Sequence, residues 1–423
     1  MDRAGGRDPG GHGTGSGTGP GTGGGAGPGA GGHGTGSGTG GADAPYLTAA
    51  HDRLRERVRG VLAREVLPHA DAWEARRYVP AEAWRALGAA GLLGLPLTGP
   101  GFLDSAVLLE ELGRTGYAGV RAAVGVHAYM AASYLELFGT PSLRAAYLPD
   151  VRSGRRVAAL AITEEGAGSD LRGLSTRAVP DGPDGYRVTG RKCHVANGSR
   201  AGFYVTLVRT REDAAPRRGL TGASLLVVDA DLPGVTRRPR PLAGWHAADV
   251  CEVEFDDVPV PADRLVGRPE RALLHLMRAL DLERLAAGLL AVGGAAYCVG
   301  LLDRFVRAHR VRDAPLGAQQ AVRHAVADLT AELDLVRHYG LRAAWLHGRG
   351  ELDTATASVL KLRSTELAVA AAGECVRLHG ARGLLEESAV ARLYRDAAAG
   401  TIAAGASELM RELIYESAGE RGA

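Results

Sequence analysis

Two stretches of helical texture separated by a block of strand texture constrain this chain more than any other feature. From Tyr46 to about Arg156 apolar residues recur at helical spacing, as in HDRLRERVRGVLAREVLPHADAWEA. PAEAWRALGAAGLLGL opens with a proline in its first turn, and DSAVLLEELGRTG ends on a glycine. Between about Val157 and Gly267 the pattern changes to short alternating or apolar runs, VAALAIT, GYRVTG, FYVTLVRT, ASLLVVDA and VCEVEFDDV, separated by Gly, Pro and Asp. These read as antiparallel strands of a compact sheet or barrel. After VPVPADRLVGRP the chain returns to long helices that run to about Ser417. Helices, strands, then helices, with no internal repeat, predict an α+β fold with segregated elements and argue against a doubly wound sheet. The expected division is a glycine-rich tail over 1–43, a helical domain over 44–156, a β domain over 157–267, a helical bundle over 268–417 and a short tail over 418–423.

With 423 residues, 45% of them hydrophobic, the chain can bury one large core or two to three subdomains. The opening GGHGTGSGTGPGTGGGAGPGAGGHGTGSGTGG is the exception, because it has no apolar surface to offset the entropy of ordering. Its two histidines, His12 and His33, read as incidental. A net charge of +2, with both signs interspersed, argues against nucleic acid and against an anionic membrane as partners. The tail lacks the basic start and apolar run of a signal peptide, and no later run of about 18 uncharged apolar residues is expected, so the reading is cytoplasmic. Of the 50 basic residues only Lys192 and Lys361 are lysines. Cys193, Cys251, Cys298 and Cys375 stand too far apart for metal-ligand or redox spacing and read as thiols in a reducing compartment.

Within the second helical region, LDLERLAAGLL places Glu283 on a stripe otherwise formed by Leu276, Leu280, Ala287 and Leu290. A carboxylate there is either paired locally, with Arg284 for example, or kept for chemistry. Three further segments share this ambiguity. AITEEGAGSD joins an apolar strand to a glycine-rich loop bearing Thr163, Ser169 and Asp170, where a planar ligand could approach the backbone. GRKCHVANGS is a strand-to-turn element that would alone be read as an ordinary turn. Near the C-terminus, VRLHGARGLLEESAVARLYRDAAAGTIAAGASELMREL contains a glycine break, an Arg395-Asp396 pair and a loop of small residues before a last helix.

Taken together, these segments resemble the acyl-CoA dehydrogenase family in order and spacing over about residues 46–417. AITEEGAGSD is similar to the family's first signature except at Glu165, where proline is usual, and LDRFV, APLGAQQAV, LHGARG and RLYRDAAAGTIAAGASEL fall where its second helical domain has cofactor and active-site segments. The resemblance implies N-terminal helices, a middle β-barrel domain and a C-terminal four-helix bundle that bind FAD between domains and subunits. It also implies removal of the α-proton of an acyl thioester by a carboxylate while the β-hydride passes to flavin N5, giving a 2-enoyl thioester. Many members carry that carboxylate in the C-terminal loop, where this chain has Ala404. In the isovaleryl-CoA and long-chain branches it comes from the Glu-Arg helix, which aligns with Glu283-Arg284.

By the same resemblance Ser169, Asp281, Arg284, Ala404 and Gly405 meet the substrate, and the backbone N–H of residue 404 polarises the thioester carbonyl. Ile162, Thr163, Gly168, Ser169, His194, Val195 and Ala196 fall beside the flavin ring. His194 and Ala196 replace the usual aromatic and hydroxyl residues there. His309, Arg310, Arg312, Gln320, Arg377, Gly380, Ala381, Ala406 and Glu408 fall at the rest of the cofactor site, and Arg310, Arg312 and Arg377 are expected to supply phosphate charge jointly. The implied partners are a CoA or acyl-carrier-protein thioester, an electron-transfer flavoprotein as acceptor, and further copies of the chain in a homodimer or homotetramer. Two other readings stand beside this one: a flavin-dependent oxidase or N-oxygenase on the same fold, and a catalytically degenerate binding protein.

Overall fold

The computed structural model describes residues 46–183, 185–211 and 220–422, and the glycine-rich opening lies outside the described residues. Its first part is helical: α1 (Ala49–Glu65), α2 (Ala70–Arg76), α3 (Ala81–Ala89), α4 (Phe102–Gly113), α5 (Ala118–Gly125), α6 (Ala132–Phe138) and α7 (Pro141–Arg152). The long amphipathic run divides into α1 and α2 around Pro68, which has no amide to donate and ends the helical ladder. Pro80 stands just before α3 as its cap. A π-helical turn, Val126–Ala131, joins α5 to α6.

The strands are β1 (Ala158–Ala161), β2 (Arg177–Pro180), β3 (Gly185–Val195), β4 (Phe203–Arg209), β5 (Ala223–Asp229), β6 (Val235–Pro239), β7 (Cys251–Pro261) and β8 (Leu265–Val266). Among the described residues they form one sheet in the order β6-β7-β3-β2-β4-β5-β8, with β1 alongside β4. The expectation of purely antiparallel strands is corrected at that point: β1 runs parallel to β4, and β2 meets β4 in parallel through Arg177 and Arg209. β2 runs the same way as β1 and β4 and β3 runs against all three, so the turn after β3, residues 196–202, restores the original direction. β4 is buried along its whole length and β5 up to its last residue. One face of each packs under Tyr147, Leu148 and Leu135, and the other packs against Val253 and Phe255 of β7. This double burial explains why both read as continuous apolar runs.

The second helical part holds α8 (Ala272–Ala308), a small hairpin of β9 (Arg310–Val311) and β10 (Ala314–Pro315), α9 (Gln320–Arg349), α10 (Thr354–His379), α11 (Ala389–Ile402) and α12 (Ser407–Gly422). The expectation of no long uncharged apolar run is corrected by α8. Its stretch 285–302 carries no charge, and the helix is long and apolar enough, by length and composition, to cross a membrane. In this structure 72% of its most apolar window is buried inside the protein, in a core shared with α4, α5 and α10. Cys251, Cys298 and Cys375 are buried, Cys193 is half-buried, and all four are free thiols.

Candidate active site

Glu283 lies on the buried face of α8 and is only 4% exposed. Its Oε1 accepts a hydrogen bond of 2.8 Å from the Tyr134 hydroxyl on α6. Burial pushes the Glu283 carboxyl up to about 7, against the opposing pull of that hydrogen bond and of Arg284. Local pairing of Glu283 with Arg284 is not what forms. Arg284 donates instead to Oδ1 of Asp281 at 2.9 Å, and Asp281 Oδ2 accepts from Thr354 of α10 at 2.9 Å. Among the described residues Glu283 is therefore left without a cationic hydrogen-bond partner, and Arg284 keeps a buried Nε that meets no acceptor.

Beside this group runs the small-residue loop before α12. Ala404 takes a left-handed backbone with φ of 53°, and Gly405 follows at 98°. A left-handed alanine is uncommon and needs support. Lys361 of α10, 0% exposed, donates from Nζ to the Gly405 carbonyl and supplies it. Burial and the neighbouring Arg284 charge push Lys361 down to about 8, while Glu408 and Glu366 pull the other way. Ala406 is half-buried, and Ser407 is buried with a hydroxyl that has no partner among the described residues.

The glycine-rich loop is braced from beneath by a pair that sequence reasoning did not single out. Glu164, 5% exposed, meets the fully buried Lys192 at 2.8 Å and accepts from the amides of Ser175 and Thr176. Burial alone would raise its carboxyl; Lys192, Ser175 and Thr176 outweigh burial and hold it at about 2. Lys192 also donates to the Ile162 carbonyl at 3.1 Å, and the Cys193 amide donates to the Thr163 carbonyl at 2.9 Å. The β3–β7 ladder slips by one residue between Lys192 and Val195, and this bulge puts His194 at φ 55° with its ring exposed. Val195 turns into the sheet core, and Ala196 is half-buried. Asp170 does not face the loop's interior, because it caps the next turn and pairs with Arg172.

The remaining sequence-predicted residues gather at the far ends of α8 and α10. The Phe305 ring lies between those of His309 and His379, with centroid separations of 4.8 and 3.7 Å. Arg312 sits at the tip of the β9–β10 turn with φ 55°, Arg310 bonds the Asp313 carbonyl, and Gln320 is the exposed first residue of α9. Gly380 and Ala381 are exposed just after α10. Arg377 is tied to Glu374 by two hydrogen bonds, so only Arg310 and Arg312 of the three arginines have no carboxylate partner among the described residues. No hydrogen bond, ion pair or ring contact among the described residues joins this group to the glycine-rich loop. The Arg395-Asp396 pair is likewise not formed: Asp396 accepts from the Trp245 amide at 2.7 Å.

A buried, raised carboxyl on a helix–sheet–helix frame is a candidate acid–base group, and comparison with known proteins gives the family. Models of the acyl-CoA dehydrogenase N-terminal, middle and C-terminal domains match residues 48–155, 159–258 and 273–419. A probable acyl-CoA dehydrogenase, YngJ, from Bacillus subtilis is 31% identical over 376 residues, which is 87% of this chain and 97% of that protein. The mitochondrial long-chain specific acyl-CoA dehydrogenase of Mus musculus is 31% identical over 375 residues, covering 87% of this chain and 86% of that protein. The crystal structure of an acyl-CoA dehydrogenase from Geobacillus kaustophilus matches with a TM-score of 0.83 at 33% identity, over 88% of this chain and 99% of that one. This chain belongs to the acyl-CoA dehydrogenase family, whose oxidoreductases are FAD-dependent.

The residues present fit that cofactor. A Cβ placed on Gly166 or Gly168 would stand in open space, and the side chains of Thr163, Ser169 and His194 make no hydrogen bond among the described residues, leaving their polar atoms free for a ring edge. Arg310 and Arg312, uncompensated by carboxylates, suit a diphosphate.

Proposed function

We propose that this chain catalyses α,β-dehydrogenation of an acyl thioester, with Glu283 as the base that removes the α-proton. The observation that carries the reading is a carboxyl only 4% exposed, with no cationic hydrogen-bond partner among the described residues, which burial raises to about 7. Such a group is partly ionised at neutral pH and closer in basicity than an ordinary carboxylate to an α-carbon whose thioester carbonyl is polarised. Bound FAD supplies the acceptor for the β-hydride. Ile162, Thr163, Gly168, Ser169, His194 and the backbone of Val195 and Ala196 would hold its ring, and Arg310 and Arg312 its diphosphate. Ala404 offers a backbone N–H to the thioester oxygen as charge develops there, which a side chain reduced to methyl does not prevent. Lys361 keeps that loop in place through Gly405. Asp281, Arg284 and Ser169 line the path of the pantetheine arm.

CoA or a carrier protein bears the acyl group, and an electron-transfer flavoprotein accepts the electrons. The chain works as a homodimer or homotetramer. Exposed apolar side chains on its last elements, Leu384 at 68%, Ile402 at 70% and Tyr415 at 79%, support the oligomer. The test is anaerobic: with FAD bound, short, branched and long acyl-CoAs are added and flavin bleaching is followed in wild type and in Glu283→Gln. Loss of about 10²–10⁴-fold in bleaching rate, with flavin still bound, is expected of the variant. Bleaching at the wild-type rate would remove Glu283 from the role.

A further inference from the structure

We infer that Tyr134 is the positioning residue of the base: its hydroxyl occupies Oε1 of Glu283, so Oε2 is the oxygen that takes the substrate's α-proton. The inference rests on the reading of Glu283 as base. Tyr134 is 0% exposed and donates at 2.8 Å. Oε2 has no hydrogen-bond partner among the described residues, so it is the carboxylate oxygen left free to accept a proton. The two oxygens of one carboxylate are thereby made unequal.

The placement of the tyrosine is equally specific. It stands in the first turn of α6, directly after the π-helical turn Val126–Ala131, and such turns recur at functional sites because they shift the register of the helix beyond them. Tyr134 belongs to the buried cluster that holds Leu135, Leu276 and Ala279, its ring lies 6.2 Å from that of Phe138, and Phe138 meets His275 of α8 with centroids 4.7 Å apart. The phenol is therefore held by packing on both sides of the α6–α8 contact. A carboxylate in apolar surroundings needs a donor to remain ionised, and Tyr134 is the donor the structure provides.

The substrate's α C–H bond breaks, its electron pair stays with the substrate, and an O–H bond forms at Oε2. Oε1 then becomes the carbonyl oxygen of the acid and still accepts from Tyr134. The phenol transfers nothing, since burial and the neighbouring carboxylate put its ionisation far above the ordinary range. The charged and titratable groups around Glu283 are Tyr134 from α6, Arg284 and Asp281 on α8, and Lys361 from α10, which faces Arg284.

The test is Tyr134→Phe. Losing a donor to the ionised form raises the base, so the acid limb of the kcat/KM profile is expected to move up by about one pH unit, a roughly tenfold loss at pH 6 that fades at high pH. A second reading needs no turnover. The infrared carbonyl band of protonated Glu283, identified by its disappearance in Glu283→Gln, is expected at higher frequency in Tyr134→Phe because the acid carbonyl has lost its donor. Should Tyr134→Phe fold poorly, Tyr134→Gln, which keeps a donor, serves both measurements and is expected to hold the limb and the band nearer to wild type. A uniform loss at every pH with the limb and band unmoved would overturn the inference. An inactive Glu283→Gln alongside that result leaves the base assignment standing, whereas a fully active Glu283→Gln would overturn both.

Discussion

The two lysines of this chain show how much a single residue choice can report. Arginine supplies 48 of its 50 basic side chains, and the two exceptions are both 0% exposed. A compact ammonium with three rotatable donors fits a closed space that a planar guanidinium cannot, and each lysine uses that shape to hold a loop of the candidate site. Lys192 ties Glu164 and the Ile162 carbonyl beneath the glycine-rich loop, and Lys361 ties the Gly405 carbonyl. Replacing Lys192 by Met strands the Glu164 carboxylate, which should cost about 3–5 kcal/mol at pH 7 and lower the melting temperature accordingly. Because Glu164 is held at about 2, below its ordinary 4.5, its contribution is present above pH 4.5 and is lost as pH falls through 2. The deficit of Lys192→Met, measured by melting, should therefore shrink between pH 5 and pH 3; a constant deficit would deny the pair its role. Glu283 stood out in the sequence as a carboxylate on an apolar stripe, but the stripe left local pairing open, and only the family resemblance pointed to a role as base. Tyr134 did not stand out, since a tyrosine among apolar neighbours reads as core and its partner lies 149 positions away.

At the level of elements, helix periodicity and strand texture exposed the helix–sheet–helix order, but not how closely the elements approach. α4 and α8 cross where Gly113 and Gly293 meet, and a Cβ on Gly293 would lie 2.0 Å from the Glu110 carbonyl oxygen and 2.8 Å from the Gly113 Cα. Both obstacles are backbone, so no rotamer relieves them and the helices must part. Gly293→Ala is expected to destabilise by about 1–3 kcal/mol or more, read as a lower denaturant midpoint. Gly373 in α10 has nothing near its absent Cβ, and Gly373→Ala should instead stabilise by about 0.5–1 kcal/mol. Glycine inside a helical sequence thus carries opposite meanings at the two positions, and only the neighbouring helix separates them. Strand direction was hidden for a related reason: β1, β2 and β4 run one way and β3 runs against them, an order of reversals that local alternation does not encode. The bulge that exposes His194 likewise depends on the register of β7.

The whole molecule is tied at a point where three distant parts of the chain converge on two buried carboxyls. Glu74 of α2 accepts from the Ala247 amide at 3.3 Å, and Asp396 of α11 accepts from the Trp245 amide at 2.7 Å, so one turn of the β region touches both helical parts. Glu74 Oε1 and Asp396 Oδ2 are buried with no partner among the described residues. Burial, and then the nearby Asp396, push Glu74 up to about 7, and burial raises Asp396 too, while Arg121 and Arg392 pull it back. With the folded value above the ordinary 4.5, the stability that goes with a protonated Glu74 is fully present below pH 4.5 and is lost as pH rises through 7. Glu110 and Glu164, both held near 2, act in the opposite direction and weaken the protein only on acidification. Glu74→Gln keeps an acceptor for the Ala247 amide and cannot ionise. It should raise stability over wild type by on the order of 2–3 kcal/mol at pH 8 and far less at pH 4.5, which paired thermal melts at the two pH values would show. An equal effect at both would mean that Glu74 does not titrate with folding, and that the junction of the three parts is held by its amide bonds alone.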